Sequence, residues 1–428
     1  MGSSSTANGS GDLVIDIKAM FERSKQQSSV RGLISVPDHL RELDEQAFTP
    51  LLISIGPIHH SNAKLQTMKM LKVRFCECYI NRANLDLKNL VEIIRAMEKE
   101  IRSYYAETIL FSISSDDFVT MILVDGMFIL EFLRQSDLFF EVDDPTISIP
   151  QWMLPILRFD LVLLENQLPF FVLEILFKQA TNFLAQSRLN SHSLKELAFE
   201  FFKCYRVQKM PPSSSETQIE HFTDLVRFLY VTGREQYRGA GGVKLSYSAT
   251  QLHEAGVKFK VAPKEYGRHF LDIRFNLKNG VLEIPCIKLN DEKMRLIRNI
   301  IALEQSHYLW DGYVTDFFVI LDFLINSFKD VDLLCDKGIL INYLGDSDAA
   351  ASTVNNLNTN ILWVNMNSDY TKICEDLNAF YKKPWYRWRA TLWRQYFSTP
   401  WRAASTSAAI ILLVLTAIQT VCSLKSNK

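Results

Sequence analysis

The chain has 428 residues, 48% hydrophobic and 22% charged, with a formal net charge of −1. That composition belongs to a globular protein whose core is large enough to need no disulfide staples. It excludes a disordered chain, and it excludes whole-chain electrostatic attraction to nucleic acid. The seven cysteines are scattered, without CxxC or zinc-ligand spacing, so they read as reduced thiols rather than a secreted disulfide framework.

Residues 1–29 begin Ser/Gly-rich and read as disordered, with a short amphipathic helix over Leu13–Gln27. No basic-then-apolar leader is present, so a signal peptide is not expected. MGSSST fits the M-G-x-x-x-[ST] lipidation pattern with Gly2 as myristoyl acceptor; the plain alternative is a flexible start. From Leu33 to His60, Pro37, Pro50 and Pro57 keep the chain extended or turning, and Gly56-Pro57 marks a tight turn. His59 and His60 are adjacent, and no third ligand stands at a suitable spacing. They read as a structural or surface pair, not a metal site.

Leu65–Tyr105 carries a helical period that breaks near Asn81–Asp86. Ser115-Asp116 caps a helix through Phe118, Met121, Ile129 and Leu133 that is apolar nearly all round, which predicts a central position. Pro150 opens a helical stretch, Trp152–Asp160, that runs into Phe159–Phe177, the densest apolar run before the C-terminal tail. In its middle stand Glu165, Asn166 and Gln167, followed by Pro169. A proline within a helix removes an N–H bond and clashes with the carbonyl four residues back, here Glu165. The expectation is a kinked or interrupted buried helix. Its polar triplet would satisfy freed backbone groups or hold a neighbour such as Leu303-Glu304-Gln305. The alternative is a site in which burial raises Glu165 toward acid/base use.

Helical stretches follow at His192–Tyr205 and His221–Val231, separated by a polar linker over Pro211–Glu216. Gly233–Gly242 is Gly-rich but lacks the GKS/T ending and a preceding strand, so it reads as a loop rather than a phosphate cradle. Within 243–290 the period changes. Val257–Val261, Phe270–Phe275 and Val281–Ile284 are short alternating runs, and Asn279-Gly280 predicts a hairpin. Helices resume at Glu292–Trp310, which holds Glu304 and Gln305, then at Tyr313–Phe328, at Val331–Lys337 ending on Gly338, at Ser347–Leu362 and at Tyr370–Lys382. The fold class is mainly α with a small antiparallel β-sheet (α+β), a large helical head over 30–384.

Residues 385–402 interleave aromatic and basic side chains: Trp385, Arg387, Trp388, Arg389, Trp393, Arg394, Trp401 and Arg402. Such a mixture suits a membrane interface or nucleic acid. The adjacent uncharged span decides for the membrane. Residues 403–424, Ala403 to Leu424 through Ile410, Leu413 and Leu415, are long enough for a transmembrane helix. The alternative is a buried core helix. Six basic residues from Lys382 to Arg402 precede the span and two follow it, which places the head in the cytoplasm and leaves 425–428 as a short tail across the bilayer.

Several passages together resemble one plant family. They are Leu33–His60 (LISVPDHLRELDEQAFTPLLISIGPIHH), LLENQLPFFVLEILF, SATQLHEAGVKFK, LDIRFNLKNGVLEIPCIKLN, RNIIALEQ and DVDLLCDKGIL, with YFSTPW before the span. In this order they are similar to the DUF247 family, also called UPF0481, over nearly the whole chain. One departure is His59-His60 after Ile58, where the family more often has Tyr and a following Gly. The resemblance implies a mostly helical protein with a C-terminal transmembrane segment and no established enzymatic activity. Some grass members act as pollen-side determinants of self-incompatibility, so it also implies self-recognition as a role.

No GxSxG, HExxH, Walker or GxGxxG motif is present, and no cofactor is implied. The expected function is therefore non-enzymatic recognition or signalling by a single-pass protein, held at the plasma membrane by its C-terminal helix and acting on an unidentified protein partner. Nucleic acid is not among the expected partners. The alternative is an enzyme using a buried acid, Glu165 or Glu304.

Overall fold

A computed structural model describes residues 17–18, 34–106, 112–137, 149–180, 193–205, 218–231, 242–263, 271–362, 365–383 and 400–426. Gly2, most of Leu13–Gln27, the linker over 211–216, residues 233–241 of the Gly-rich stretch, and Trp385, Arg387, Trp388, Arg389, Trp393 and Arg394 lie outside the described residues. The protein is mainly helical with two small sheets, and it divides into two compact units. One comprises Met1–Arg206 with Met210–Leu229; the other comprises Tyr230–Lys428 with Val207–Lys209. Residues 30–384 contribute to both.

The first unit starts with an extended stretch interrupted by the short α1 (Asp38–Arg41). The period over 65–105 resolves into two helices, α2 (Lys69–Ala83) and α3 (Leu87–Arg102). Between them Asn84 sits in the left-handed region at φ 50°, a conformation its short polar side chain tolerates. The Asp86 carboxylate then accepts from Lys88 N to start α3. The central helix is α4 (Ser115–Asp137), against which α2 and α3 pack. Its Phe118, Ile122, Met127, Phe128 and Phe132 are all buried, as an apolar surface on every side requires. Phe128 touches Phe75 of α2 at 5.3 Å between ring centroids and Phe132 at 5.6 Å.

Helices α5 (Met153–Asp160), α6 (Phe170–Gln179), α7 (Leu194–Phe201) and α8 (Phe222–Val231) follow. A Cβ on Gly126 of α4 would lie 2.6 Å from Leu176 Cδ1, so the close approach of α4 and α6 depends on a residue without a side chain. The run Phe159–Phe177 is an interrupted helix: α5 ends at Asp160, residues 161–169 turn, and α6 begins at Phe170. Pro169 is not inside a helix. It stands just before α6 with φ −57° and ψ 134°, where its missing N–H costs nothing.

The second unit contains α9 (Ala249–Ala255), followed by β1 (Lys258–Val261), β2 (Arg274–Asn276) and β3 (Val281–Ile284). β2 and β3 form the antiparallel hairpin expected at Asn279-Gly280, with Gly280 at φ 65°. β1 pairs with β3 in parallel, because the chain crosses over between them, so the sheet is mixed in order β1-β3-β2. A second, two-stranded parallel ladder joins β4 (Ile287–Leu289) to β5 (Leu340–Asn342). Around these pack α10 (Asp291–His307), α11 (Tyr313–Leu324), α12 (Phe328–Asp336), α13 (Ser347–Leu357) and α14 (Ser368–Lys382). Helix α11 is buried along most of its length, through Phe317, Phe318, Ile320 and Leu321. It stops at Leu324, since Ser327 and Asp330 form a capping box that starts α12. The last described element is α15 (Pro400–Ser426).

Candidate functional site

The polar triplet lies in the turn between α5 and α6, and what it holds is the extended N-terminal stretch. Glu165 is 3% exposed. Its Oε1 accepts from Val36 N at 3.0 Å and from the Arg41 guanidinium. Burial pushes the Glu165 carboxyl above its ordinary value, and the Val36 N–H and Arg41 pull the other way. Asn166 accepts from Ile55 N at 2.7 Å and donates to the Ile53 carbonyl at 3.0 Å. Gln167 donates to the Leu161 and Leu163 carbonyls and accepts from Phe222 N, tying its own turn to the start of α8.

Asp160, at the end of α5, does more than the sequence suggests. It is fully buried, and its two oxygens take the N–H groups of Leu51, Leu52 and Ile53 at 2.9, 2.7 and 3.0 Å. Asp125 of α4 accepts from Gly56 N at 2.9 Å and pairs with Lys72 at 2.5 Å, while Lys72 donates to the Ser54 carbonyl at 2.7 Å. Residues 51–56 are thus read atom by atom by side chains rather than by a neighbouring strand. The six residues 51–56 between Pro50 and Pro57 do not satisfy their own backbone, and the buried carboxylates and amide replace the missing ladder.

The second acid singled out by sequence works the same way elsewhere. Glu304, fully buried in α10, accepts from Val314 N, Thr315 N and Thr315 Oγ1 at 3.3, 2.8 and 2.6 Å, which caps the start of α11. The hydrogen bonds of the 165–167 triplet described above run to residues of the first unit, and those of Glu304 to residues of the second. Gln305 instead accepts from Leu362 N at 2.8 Å. Asp330 repeats the pattern, accepting from Thr250 N, Asn326 N and Ser327 N. Burial pushes its carboxyl up, but the Thr250 N–H together with the Ser248, Thr250 and Ser327 side chains outweighs burial and holds it below the ordinary value.

His59 and His60 lie at the end of the extended stretch. Burial lowers His59 to about 4, so it is neutral at physiological pH, and burial lowers His60 as well. Among the described residues no group of three His, Cys, Asp or Glu side chains is placed to hold a metal ion. Helix α15 is of a different kind. Its window Ala404–Cys422 has mean hydropathy 1.9, and none of it is buried against the rest of the protein; Leu413 is 71% exposed and Leu412 64%. By length and composition it is the one described helix able to cross a membrane. Ile410 and Leu415 are exposed on it, Ala403 and Leu424 stand in it near its ends, and Trp401 and Arg402 form its first turn, with Trp401 exposed.

Sequence reasoning missed Asp160, Asp125, Lys72 and Asp330. For Asp125 the available signal was an acid inside an apolar run, which must be paired if buried; Lys72 and Asp330 stand among other charged residues and carry no such signal.

Comparison with known proteins agrees with the motif order. The chain is 27% identical to the UPF0481 protein At3g47200 of Arabidopsis thaliana, an alignment that covers 90% of this chain and 85% of the relative. It is 23% identical to the putative UPF0481 protein At3g02645 of the same plant, over 94% and 92%. No solved structure matches it. The family model described as a plant protein of unknown function, DUF247, matches residues 33–415, and the chain belongs to that family.

Proposed function

We propose that the protein is a single-pass, membrane-anchored recognition or signalling protein that acts through protein–protein contacts without catalysis. The observation that carries the reading is α15: an uncharged helical window of 19 residues whose large apolar side chains face outward. At about 1.5 Å per residue it is about 28 Å long, close to the hydrocarbon thickness of about 30 Å. Left in water, such a surface is an aggregation liability; in lipid it is satisfied.

The basic, aromatic stretch before the span supports a cytoplasmic head at the plasma membrane. The buried acids support a non-enzymatic reading, because Glu165 and Glu304 are already engaged by the backbone groups they hold. Family resemblance extends the reading to pollen-side self-recognition. Anchoring would raise the effective concentration of the head toward partners in the same bilayer.

The test is fractionation of plant cells expressing the full chain and a chain lacking Ala404–Cys422. The full chain should sediment with membranes and resist carbonate extraction, and the deletion should move to the soluble fraction. Protease added to sealed microsomes should digest the head. A deletion that stays in the membrane fraction overturns the anchor, and a protected head overturns the orientation.

A further inference from the structure

The mixed sheet of the second unit presents one face to solvent. Register places Lys260, Glu283 and Arg274 side by side in one cross-strand row and Lys258, Val281 and Asn276 in the next; Phe259 and Leu282 of the intervening row are buried. At the hairpin end this face opens into a cleft of about 600 Å³, walled by Arg274, Asn276, Lys278 and Asn279 over Leu277 and Val281. The volume is within the range of ligand sites.

Its polar groups are mostly donors. Asn276 turns its carbonyl oxygen to Lys278 N and Asn279 N, and Asn279 turns its own to Val281 N, so both amide NH₂ groups remain available. Asp272 fixes the Arg274 guanidinium through two contacts, at 3.0 and 2.7 Å. Lys258, Lys260 and Lys278 are exposed. Glu283 is the single carboxylate lining the cleft.

We propose that this cleft docks an acidic, partly apolar, extended peptide segment of a partner protein. This rests on the recognition reading and names a surface for it. The basic groups stand apart, Lys258 and Lys260 on β1, Arg274 on β2 and Lys278 in the turn, with the outer strands separated by β3 and its Glu283; spread over neighbouring strands about 4.8 Å apart, they match carboxylates distributed along a chain rather than one compact anion. A compact phosphate or lipid headgroup would instead call for converging, shielded donors, and no polar side chain lining this cleft is fully buried. Leu277, 39% exposed, and Val281 give the peptide's apolar residues a floor.

The experiment uses the full chain in uncharged detergent micelles and a fluorescein-labelled peptide of alternating Glu and Leu, read by fluorescence anisotropy. Lys258→Glu with Lys278→Glu should weaken binding more than about tenfold, and Leu277→Ser several-fold, with affinity falling as salt is raised. Lys69→Glu with Lys99→Glu makes the same charge change on the first unit and should leave binding intact. Equal loss in both double variants, or none in the first, overturns the proposal. So does displacement of the peptide by monomeric short-chain phosphatidylserine at lower concentration than by unlabelled peptide, which would make the cleft a headgroup site. Failure of the anchor shows in fractionation alone, and failure of the cleft shows in anisotropy alone.

Discussion

Asp160 ties residues 51–53 to the end of α5. It is a fully buried carboxylate with three backbone N–H groups aimed at it. Asp160→Asn would turn an NH₂ toward those donors and should cost about 3 kcal/mol, measured as a fall in the unfolding midpoint. Glu165→Gln should cost less, since burial already disfavours its charge and Arg41, its partner, is one-third exposed. Two other residues make stability depend on pH in opposite senses. His59 is lowered by burial to about 4 in the fold, so the stability tied to its neutral form is full above its unfolded value and is lost as pH falls through the interval down to about 4. His59→Gln should flatten that acid limb. Burial raises Asp322 to about 6, against an attraction from Lys244. Its contribution is full below the unfolded carboxyl value and is lost as pH rises through about 6. Asp322→Asn should therefore raise the midpoint at pH 8 and leave it unchanged at pH 3.5.

Elements defined by local chemistry were legible in the sequence, and those defined by distant partners were not. The break between α2 and α3, the start of α4 at Ser115 and the Asn279-Gly280 hairpin each announce themselves within a few residues. The β4–β5 ladder does not, because three-residue strands carry no measurable period and Ile287 finds Leu340 across more than fifty positions. The proline in the apolar run Phe159–Phe177 announces a kinked or interrupted helix, and the helix is interrupted there; what no window of sequence shows is that the interruption holds the N–H groups of residues 51–55. Gly56 marks the same joint from the other side. It sits at φ 72°, and a Cβ there would lie 2.7 Å from the Gln167 carbonyl oxygen. Gly56→Ala should destabilise the protein by about 1–3 kcal/mol, read by thermal denaturation, whereas the same change at Gly345, which has open space around it, should cost less.

At the scale of the whole molecule, the outward-facing α15 predicts separability. None of Ala404–Cys422 is buried, so removing it should leave the unfolding midpoint of the remaining chain within about 0.5 kcal/mol of the full protein in detergent. A coincident loss of stability would mean that the helix belongs to the head. The extended N-terminal stretch has a consequence in time. Leu51 finds its acceptor 109 residues later in the chain, Ile55 111 and Val36 129. At a synthesis rate of about 5–20 residues per second, an apolar, unpaired segment waits roughly 5–25 s on the ribosome before Asp160, Glu165 and Asn166 exist to receive it. The first piece of the unit to be made cannot fold until chain more than a hundred residues later exists, and it is the piece a nascent-chain chaperone would hold.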